Sequence, residues 1–580
     1  MFKKYIFAAI LLATAQSSAD VRVLVLDGEA APNGQGNYVG SGGASVAMQG
    51  KYVAIATSLQ GPTGMDDPQI LLISDCSDTV SVVAFEADFL PNSNRINVLR
   101  GLGGPILNSS GLIATPAQTY LASNPNAART DMFSGSRAGI LGMVAPSGGS
   151  VPDGNGQFSV SSFIAPAINE FGLIAFSGSL FNTSGGANDD EGVFVYDANT
   201  GTRTEIVRKG DSVPLGPGTY TGTQSQASEV FSSPYISRDG RVAFYADVDG
   251  SVFRDTGIFV SDGTTTIDYF RYRDPLPSTT FEYGTGGSYD FNENGDLAVV
   301  VNYAFTSTTV DAIFRSNGSE VVRIAANGAA APGGGIYFRV NSGIKQDASG
   351  RVLFTSSSTL TEEGLFLGDG TSTTLIAAVG QPAPNNRGDF TDIGNFTISS
   401  SGIVAFNARI GEERAVYRYI NDELEELIST DTVIDGSQVT GVNVAGSRFA
   451  QIVGVNNDGE VAVRFFLQGG RGGVAVVGEP LSQTADTDGD SVPDSCDNCT
   501  LAQNVSQLDT NNDGFGNVCD ADLNNDNIVN FIDISLFSRR FLTNDADADL
   551  NGDGTVNFLD YVIMGNSFLS PPGPAATSSR

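Results

Sequence analysis

Four twelve-residue windows near the C-terminus carry oxygen-bearing side chains at positions 1, 3, 5, 9 and 12. The first has Asp486, Asp488, Asp490, Asp494 and Asp497; the second has Asp509, Asn511, Asp513, Asn517 and Asp520. Asp522, Asn524, Asp526, Asn530 and Asp533 make the third, and Asp549, Asn551, Asp553, Asn557 and Asp560 the fourth. Carboxylates and carboxamides are hard oxygen donors, and alternate spacing lets a tightly wound loop aim them at one point. The main-chain carbonyl that such a loop needs at position 7 would come from Val492, Phe515, Ile528 and Thr555. The chemistry predicted is Ca2+ binding at all four loops, at about 0.1–1 mM, as in extracellular modules. Position 12 is always Asp, shorter than the usual bidentate Glu, so the coordination is expected to differ from an EF-hand. Position 6 is Gly in the second and fourth loops, Asn527 in the third and Ser491 in the first. Asn tolerates the left-handed turn required there better than Ser does.

Charge and composition bound the alternatives. The net charge is −34, and residues 485–580 alone hold sixteen Asp, no Glu and three Arg. Nucleic acid and anionic membranes need basic patches, so neither is expected as a partner. The chain has no His, which excludes Ser-His-Asp and Cys-His nucleophile systems, His-ligated zinc and His acid–base catalysis. Trp is also absent, leaving Tyr and Phe to stack on any sugar ring. Catalysis by a carboxylate pair stays open, but sequence cannot locate that pair among 65 acidic residues.

At the N-terminus, Lys3 and Lys4 precede an apolar run from Tyr5 to Ala15 and a small-residue stretch Ser17-Ser18-Ala19. This is the pattern of an export signal over residues 1–19, too short for a stable membrane anchor. No later stretch of eighteen apolar residues occurs, so the expected location is secreted or extracellular, with no integral membrane anchor. The polar segment 571–580 reads as a disordered tail.

The elements that carry the loops come next. Residues 20–480 repeat with a period of roughly 52 to 68 residues. A polar residue, two more residues, Gly and an apolar strand recur, as in Asn169-Glu-Phe-Gly172-Leu-Ile-Ala-Phe176 and Ser237-Arg-Asp-Gly240-Arg-Val-Ala-Phe244. Further copies begin at Asn292, Asp347, Ser399 and Asn456, with weaker ones at Asn108 and around Gly50, making eight. Loops with Pro at 32, 91, 152, 214, 277, 332 and 384 keep the same rhythm, with Asp435 in the eighth place. A short strand follows each first strand, often led by Gly, as in Gly192-Val-Phe194, Gly257-Ile-Phe259 and Gly364-Leu-Phe366. Each unit therefore reads as three or four short β-strands, with the Asn-x-x-Gly step as a tight turn and Gly free to take positive φ. Repeats of this length and strand content predict a mainly β fold, an eight-bladed β-propeller first, with seven blades or an open β-solenoid as alternatives. The turn, strand and core roles of Asn, Gly, Pro and Phe explain their repetition without a binding role. This body resembles bacterial exported tandem-repeat proteins named for an Asn-x-x-Gly-x-x-Ala-Phe motif, a resemblance that implies export and a repeat β-fold and assigns no reaction.

Loops one and two, residues 484–521, resemble thrombospondin type 3 repeats in Asp486-Thr-Asp-Gly-Asp490, Cys496-Asp-Asn-Cys499, Asn504, Gln507 and Asp509 to Asp520. The resemblance implies a Cys499–Cys519 disulfide. Cys496 then either bonds Cys76 or, with it, stays a free thiol. Loops three and four, residues 522–570, resemble a type I dockerin domain. They lie 27 residues apart, and Phe531-Ile-Asp-Ile-Ser-Leu-Phe537 aligns with Phe558-Leu-Asp-Tyr-Val-Ile-Met564, as Phe541 does with Phe568. Each aligned segment reads as a short amphipathic helix starting within its loop, giving a small α-helical unit packed through Ile534, Phe537, Phe541, Tyr561, Met564 and Phe568. The resemblance implies a cohesin-like partner or surface scaffold contacted through positions 10 and 11, here Phe531, Ile532, Phe558 and Leu559. Many members of that family carry Ser or Thr there. The four residues are either an exposed apolar docking patch or buried core.

The leading function is thus a secreted, calcium-binding, non-catalytic binding or display protein, attached to an extracellular partner through its C-terminal module. A dockerin-tethered polysaccharide-degrading enzyme is the alternative, since such modules often carry glycan hydrolases; a glycan would then be the substrate, and an Asp/Glu pair in the propeller would act on it. A third reading, adhesion or matrix scaffolding, follows from the type 3 resemblance.

Overall fold

A computed structural model describes residues 21–60, 68–75, 80–86, 95–97, 104–121, 124–163, 166–214, 218–221, 231–249, 255–271, 275, 285–305, 308–446, 453–478, 486–490, 492, 494, 496–511 and 514–574. The export-signal reading of residues 1–19 falls outside them, as do Cys76, Ser491 and Asp513.

Each Asn-x-x-Gly step joins the first two strands of one antiparallel sheet, with Gly at positive φ: +78° at Gly172, +86° at Gly240 and +80° at Gly350. Eight such sheets of four or five strands follow one another along the chain. They span residues 37–85, 95–145, 157–208, 231–271, 285–326, 330–378, 392–429 and 433–477. They are the blades of an eight-bladed propeller, which excludes the seven-bladed and solenoid alternatives. The N-terminal strand Val21–Leu26 belongs to the last blade: it pairs antiparallel with Gly472–Val477, from Val21 opposite Val477 to Leu26 opposite Gly473, and so closes the ring.

The repeated Phe residues form an aromatic cluster in four of the blades. Phe176 stacks on Phe194, its direct cross-strand partner, and Phe158 meets both rings. The same trio recurs as Phe244, Phe259 and Tyr220, as Phe354, Phe366 and Tyr337, and as Phe406, Tyr417 and Phe390. Gly two residues before the third-strand Phe is what lets that ring fold back. A Cβ at Gly192 would lie 2.9 Å from the Phe194 ring, and one at Gly364 2.8 Å from Phe366.

The first residue of the motif does a second job. Asn169 accepts the amides of Phe171 and Leu173 through Oδ1, capping its own turn, while its Nδ2 donates to the carbonyl of Ser237 in the next blade at 3.0 Å. Asn108 reaches Asn169 in the same way, Asn292 reaches Asp347, and Asn456 reaches Gly50 across the closure. Beside Ser237 and Asp347, which replace Asn, the next main-chain amide takes over: Arg238 donates to the Glu293 carbonyl and Ala348 to that of Ser400. One end of the propeller axis is thereby girdled by bonds between blades.

Beyond the propeller lie two helices, α1 (Phe531–Arg540) and α2 (Phe558–Asn566). Ala521, Val529, Phe537, Ala548, Leu550, Val556 and Met564 form their shared core, with Ile534 and Phe541 partly buried against it. The halves interlock reciprocally. Val529 exchanges main-chain bonds with Leu569 and Ser570, as Val556 does with Leu542 and Thr543. Of the segment expected to be a disordered tail, residues 571–574 are described and tied down: Gly573 donates to the Cys519 carbonyl, and Thr500 donates to that of Pro574. Among the described residues, no helix is long and apolar enough to cross a membrane.

Candidate metal centre and docking face

In the third loop, Asp522 accepts the amides of Asp526 and Asn527, at 3.1 and 2.5 Å, so the chain winds around its first carboxylate. The fourth repeats this: Asp549 accepts from Asp553 at 3.1 Å and Gly554 at 2.7 Å. Asn524 and Asn551, at position 3, turn their Oδ1 atoms toward the amides of Asp526 and Asp553. Asn527 takes φ +69° and Gly554 +92°, the left-handed step expected at position 6. At position 12, Asp533 and Asp560 are buried and accept the amides of Asn530 and Asn557. Asn530 and Asn557 cap Ile532 and Leu559 in return, forming capping boxes at the starts of α1 and α2. The last ligand position of each loop is therefore also the first-turn carboxylate of a helix.

The first loop brings carboxylate oxygens of Asp486, Asp488 and Asp490 within 4.8 Å of one another. Asp490 accepts the amide of Val492, and Thr487 donates to Asp494. Asp497, fully buried, accepts from Cys499 and Gln507. In the second loop, Asp509 accepts the amide of Gly514, Asn517 accepts that of Thr510, and the Asn511 amide group donates to Asp520. Of the ligand positions read from sequence, Asp513 is outside the described residues; those of the third and fourth loops are wound around Asp522 and Asp549. Val492, Phe515, Ile528 and Thr555, the predicted carbonyl donors, are among the described residues.

Unbalanced carboxylates show whether a cation suits these loops. Asp488 Oδ2, Asp497 Oδ2 and Asp533 Oδ1 are buried oxygens that accept no hydrogen bond from any described residue. Burial raises Asp533 above the ordinary aspartate range, and the Asp522 and Asp526 carboxylates raise it further. Buried like charges without hydrogen-bond donors are costly, and a divalent ion would offset them. The donor set is all oxygen, the preference of Ca2+, so the residues fit that ion.

Cys499 and Cys519 are joined by a disulfide, with Cα atoms 5.7 Å apart. Cys496 is disulfide-bonded too, which removes the free-thiol alternative for it; its suggested partner, Cys76, is outside the described residues. Lys51, missed in the sequence, lies where the first two loops meet the propeller. Its Nζ donates to the Cys496 carbonyl at 3.4 Å. Burial lowers its pKa, while Asp75, Asp509 and Asp497 act in the opposite direction. Lys51 follows the turn residue Gly50 of the first blade, and nothing at that position marks it as an inter-module contact.

The four residues at positions 10 and 11 are exposed, which corrects the buried-core reading: Phe531 by 77%, Ile532 by 55%, Phe558 by 73% and Leu559 by 61%. The first helical turn faces outward because Asp533 and Asp560, three residues into the helix-start pattern, turn inward to the loops. Phe531 leans edge-on against Phe568, and Phe558 against Phe541, both at 5.1 Å. Tyr561, expected in the core, touches Phe537 at 6.1 Å yet stays half-exposed.

No curated protein matches the chain. Among solved structures, it is similar to the β-propeller domain of the trilobed protease from Pyrococcus furiosus, at 11% identity and TM-score 0.34, over 68% of this chain and 97% of that one. Acylaminoacyl peptidase from Pyrococcus horikoshii is similar at 11% identity and TM-score 0.33, over 64% of this chain and 51% of the peptidase, so the match spans about half of that protein's length. Polysaccharide lyase Uly1 is similar at 12% identity and TM-score 0.30, over 77% of this chain and 91% of that one. Residues 520–569 match the type I dockerin domain. Two matches covering residues 8–226 and 220–474 take in most of the chain, which therefore belongs to the family of unknown function DUF7453, with a type I dockerin domain at its C-terminal end.

Proposed function

We propose that this chain is a secreted binding or display protein whose dockerin module attaches it, in a calcium-dependent way, to a cohesin-like partner. The observation that carries the reading is the coupling between ligand loops and exposed face. Phe531, Ile532, Phe558 and Leu559 stand on the first turns of α1 and α2, and those turns are capped by the carboxylates of Asp533 and Asp560, the last predicted ligands of their loops. When bound, Ca2+ would supply the positive charge that keeps these carboxylates in place. Asp522, Asn524, Asp526, Ile528, Asn530 and Asp533 would hold one ion, and Asp549, Asn551, Asp553, Thr555, Asn557 and Asp560 another. The first two loops, thrombospondin type 3-like in their spacing, would form a calcium-stiffened brace between propeller and dockerin. The Lys51–Cys496 contact and the Cys499–Cys519 bond support that role.

Binding of the full chain to immobilised type I cohesin modules, in calcium and in EDTA, tests the reading. Capture is expected in calcium alone and is expected to disappear in the Phe531→Ser/Phe558→Ser variant. Equal recovery under both conditions would count against calcium-dependent attachment.

A further inference from the structure

At the motif-turn end of the propeller axis lies a cavity of about 180 Å³ walled by all eight blades. The position after the motif's first residue points charge toward it on three consecutive blades, as Glu170, Arg238 and Glu293; the corresponding residues Ser109, Ala348, Ser400 and Asn457 are neutral. Deeper in the wall, Lys345 and Asp290 face each other at 3.4 Å, only 5% and 6% exposed. A charged pair buried on two neighbouring inner strands makes this a built cavity and more than a gap between blades.

Most of the wall's hydrogen-bonding capacity is already used. Glu170 accepts the Ser109 amide at 3.0 Å and Gln49 Nε2 at 3.3 Å. Asp290 accepts the Gln346 amide at 2.8 Å, and Asp347, which also lines the cavity, is held by Arg351. Two groups at the cavity surface retain capacity. The half-buried Glu293 carboxylate accepts no hydrogen bond from any described residue; burial, and next the Glu170 carboxylate, raise it above the ordinary glutamate range. The Arg238 guanidinium lies 5.7 Å from the centre of the exposed Phe171 ring and donates to no described residue. Gln346, 7% exposed, commits its Nε2 to the carbonyls of Asp290 and Asp296, and its Oε1 is buried away from the cavity.

Free acceptors beside a free multiple donor select the ligand. A metal ion would face Arg238 and Lys345 in the same wall, and an anion would face four carboxylates. A vicinal diol both donates and accepts at short spacing, and it carries no charge to desolvate. We propose that this cavity binds one neutral sugar residue at the end of a glycan, its hydroxyls donating to the Glu293 carboxylate and accepting from Arg238. The cavity is smaller than the usual range for drug-sized ligands, which suits a single ring. This rests on the reading of the propeller as a binding body, and it names the class of ligand bound.

The test applies the full calcium-loaded protein to an array of neutral, uronate-containing and amino-sugar glycans, then titrates the best neutral ligand against variants. A neutral glycan is expected to bind, Glu293→Ala is expected to weaken it at least tenfold, and Glu293→Gln is expected to fall between. Thermal midpoints should stay at the parent value, because the Glu293 carboxylate holds no partner in place. Binding to charged glycans alone, to none at all, or undiminished binding in Glu293→Ala/Arg238→Ala would overturn the proposal. Cohesin capture by the same preparations reads attachment separately, so failure of one claim is distinguishable from failure of the other.

Discussion

The carboxamide of Asn169 donates to the carbonyl of Ser237, 3.0 Å away and one blade further along the chain. The residue that shapes a turn in one blade therefore fastens that blade to its neighbour. Asn169 is buried, and all four of its side-chain hydrogen bonds are lost on truncation. Leaving buried partners unpaired costs about 1–3 kcal/mol per group after partial relaxation. Asn169→Ala is expected to destabilise the propeller by about 3 kcal/mol, read by urea unfolding. Asn169→Ser should cost less, since Ser399 occupies the same position and its hydroxyl still caps the Ile403 amide.

Tyr38 sits in the first blade with its hydroxyl buried and no hydrogen-bond partner among the described residues. Burial, with a smaller contribution from Glu29, raises its pKa to about 12. The folded value lies above the unfolded one of about 10, so the linked stability is complete below pH 10 and drains away as pH rises through about 12. Tyr38→Phe is expected to gain about 1 kcal/mol at pH 7, because the unsatisfied hydroxyl is removed. The variant should also lose stability less steeply than the parent between pH 10 and 12. Urea midpoints across that range check both parts.

Eight repeats, the turn at Asn-x-x-Gly and the start of a helix within each of the last two Asp/Asn loops were legible because each is a local pattern of a few residues. Partners far apart in sequence were not. No spacing reveals that Val21–Leu26 completes the blade ending at Val477, or that Asn456 reaches Gly50. Gly192 and Gly364 were visible as markers, but their reason, a ring folded back over each, exists only once the sheet has formed. Phe531 and Phe558 left two readings open, exposed patch or core. An aromatic residue in a helix suggests core, yet burial depends on whether another layer covers that face, and none among the described residues does so fully. The charged residues around the axis, Glu170, Arg238 and Glu293, come from separate repeats and meet only in the closed ring.

The Cys499–Cys519 bond closes a segment with a sequence separation of 20 residues. A loop of that length restrains the unfolded chain by about 3 kcal/mol on the chain-entropy view. The apolar core beside it is small, so the tail depends strongly on this bond. Cys499→Ser/Cys519→Ser is expected to lower the tail's unfolding midpoint in calcium while leaving the propeller transition in place. Two-step thermal unfolding, with limited proteolysis between the steps, separates the two.

Calcium dependence should be confined to the same tail. α1 and α2 have ten and nine residues, and helices this short are marginal in water without tertiary support. Their N-termini are held by Asp533 and Asp560, carboxylates buried among other acids of the loops. Removing the ions would leave those charges repelling one another, with protonation or unfolding as the routes to relief. EDTA is therefore expected to remove the helical circular-dichroism signal while the propeller's β signal and thermal transition persist. Asp522→Ala/Asp549→Ala should behave like the chelated parent even in calcium and should lose the tightest ion uptake by calorimetry. If the double variant keeps its helices and its full complement of ions, the loops are not what orders the tail.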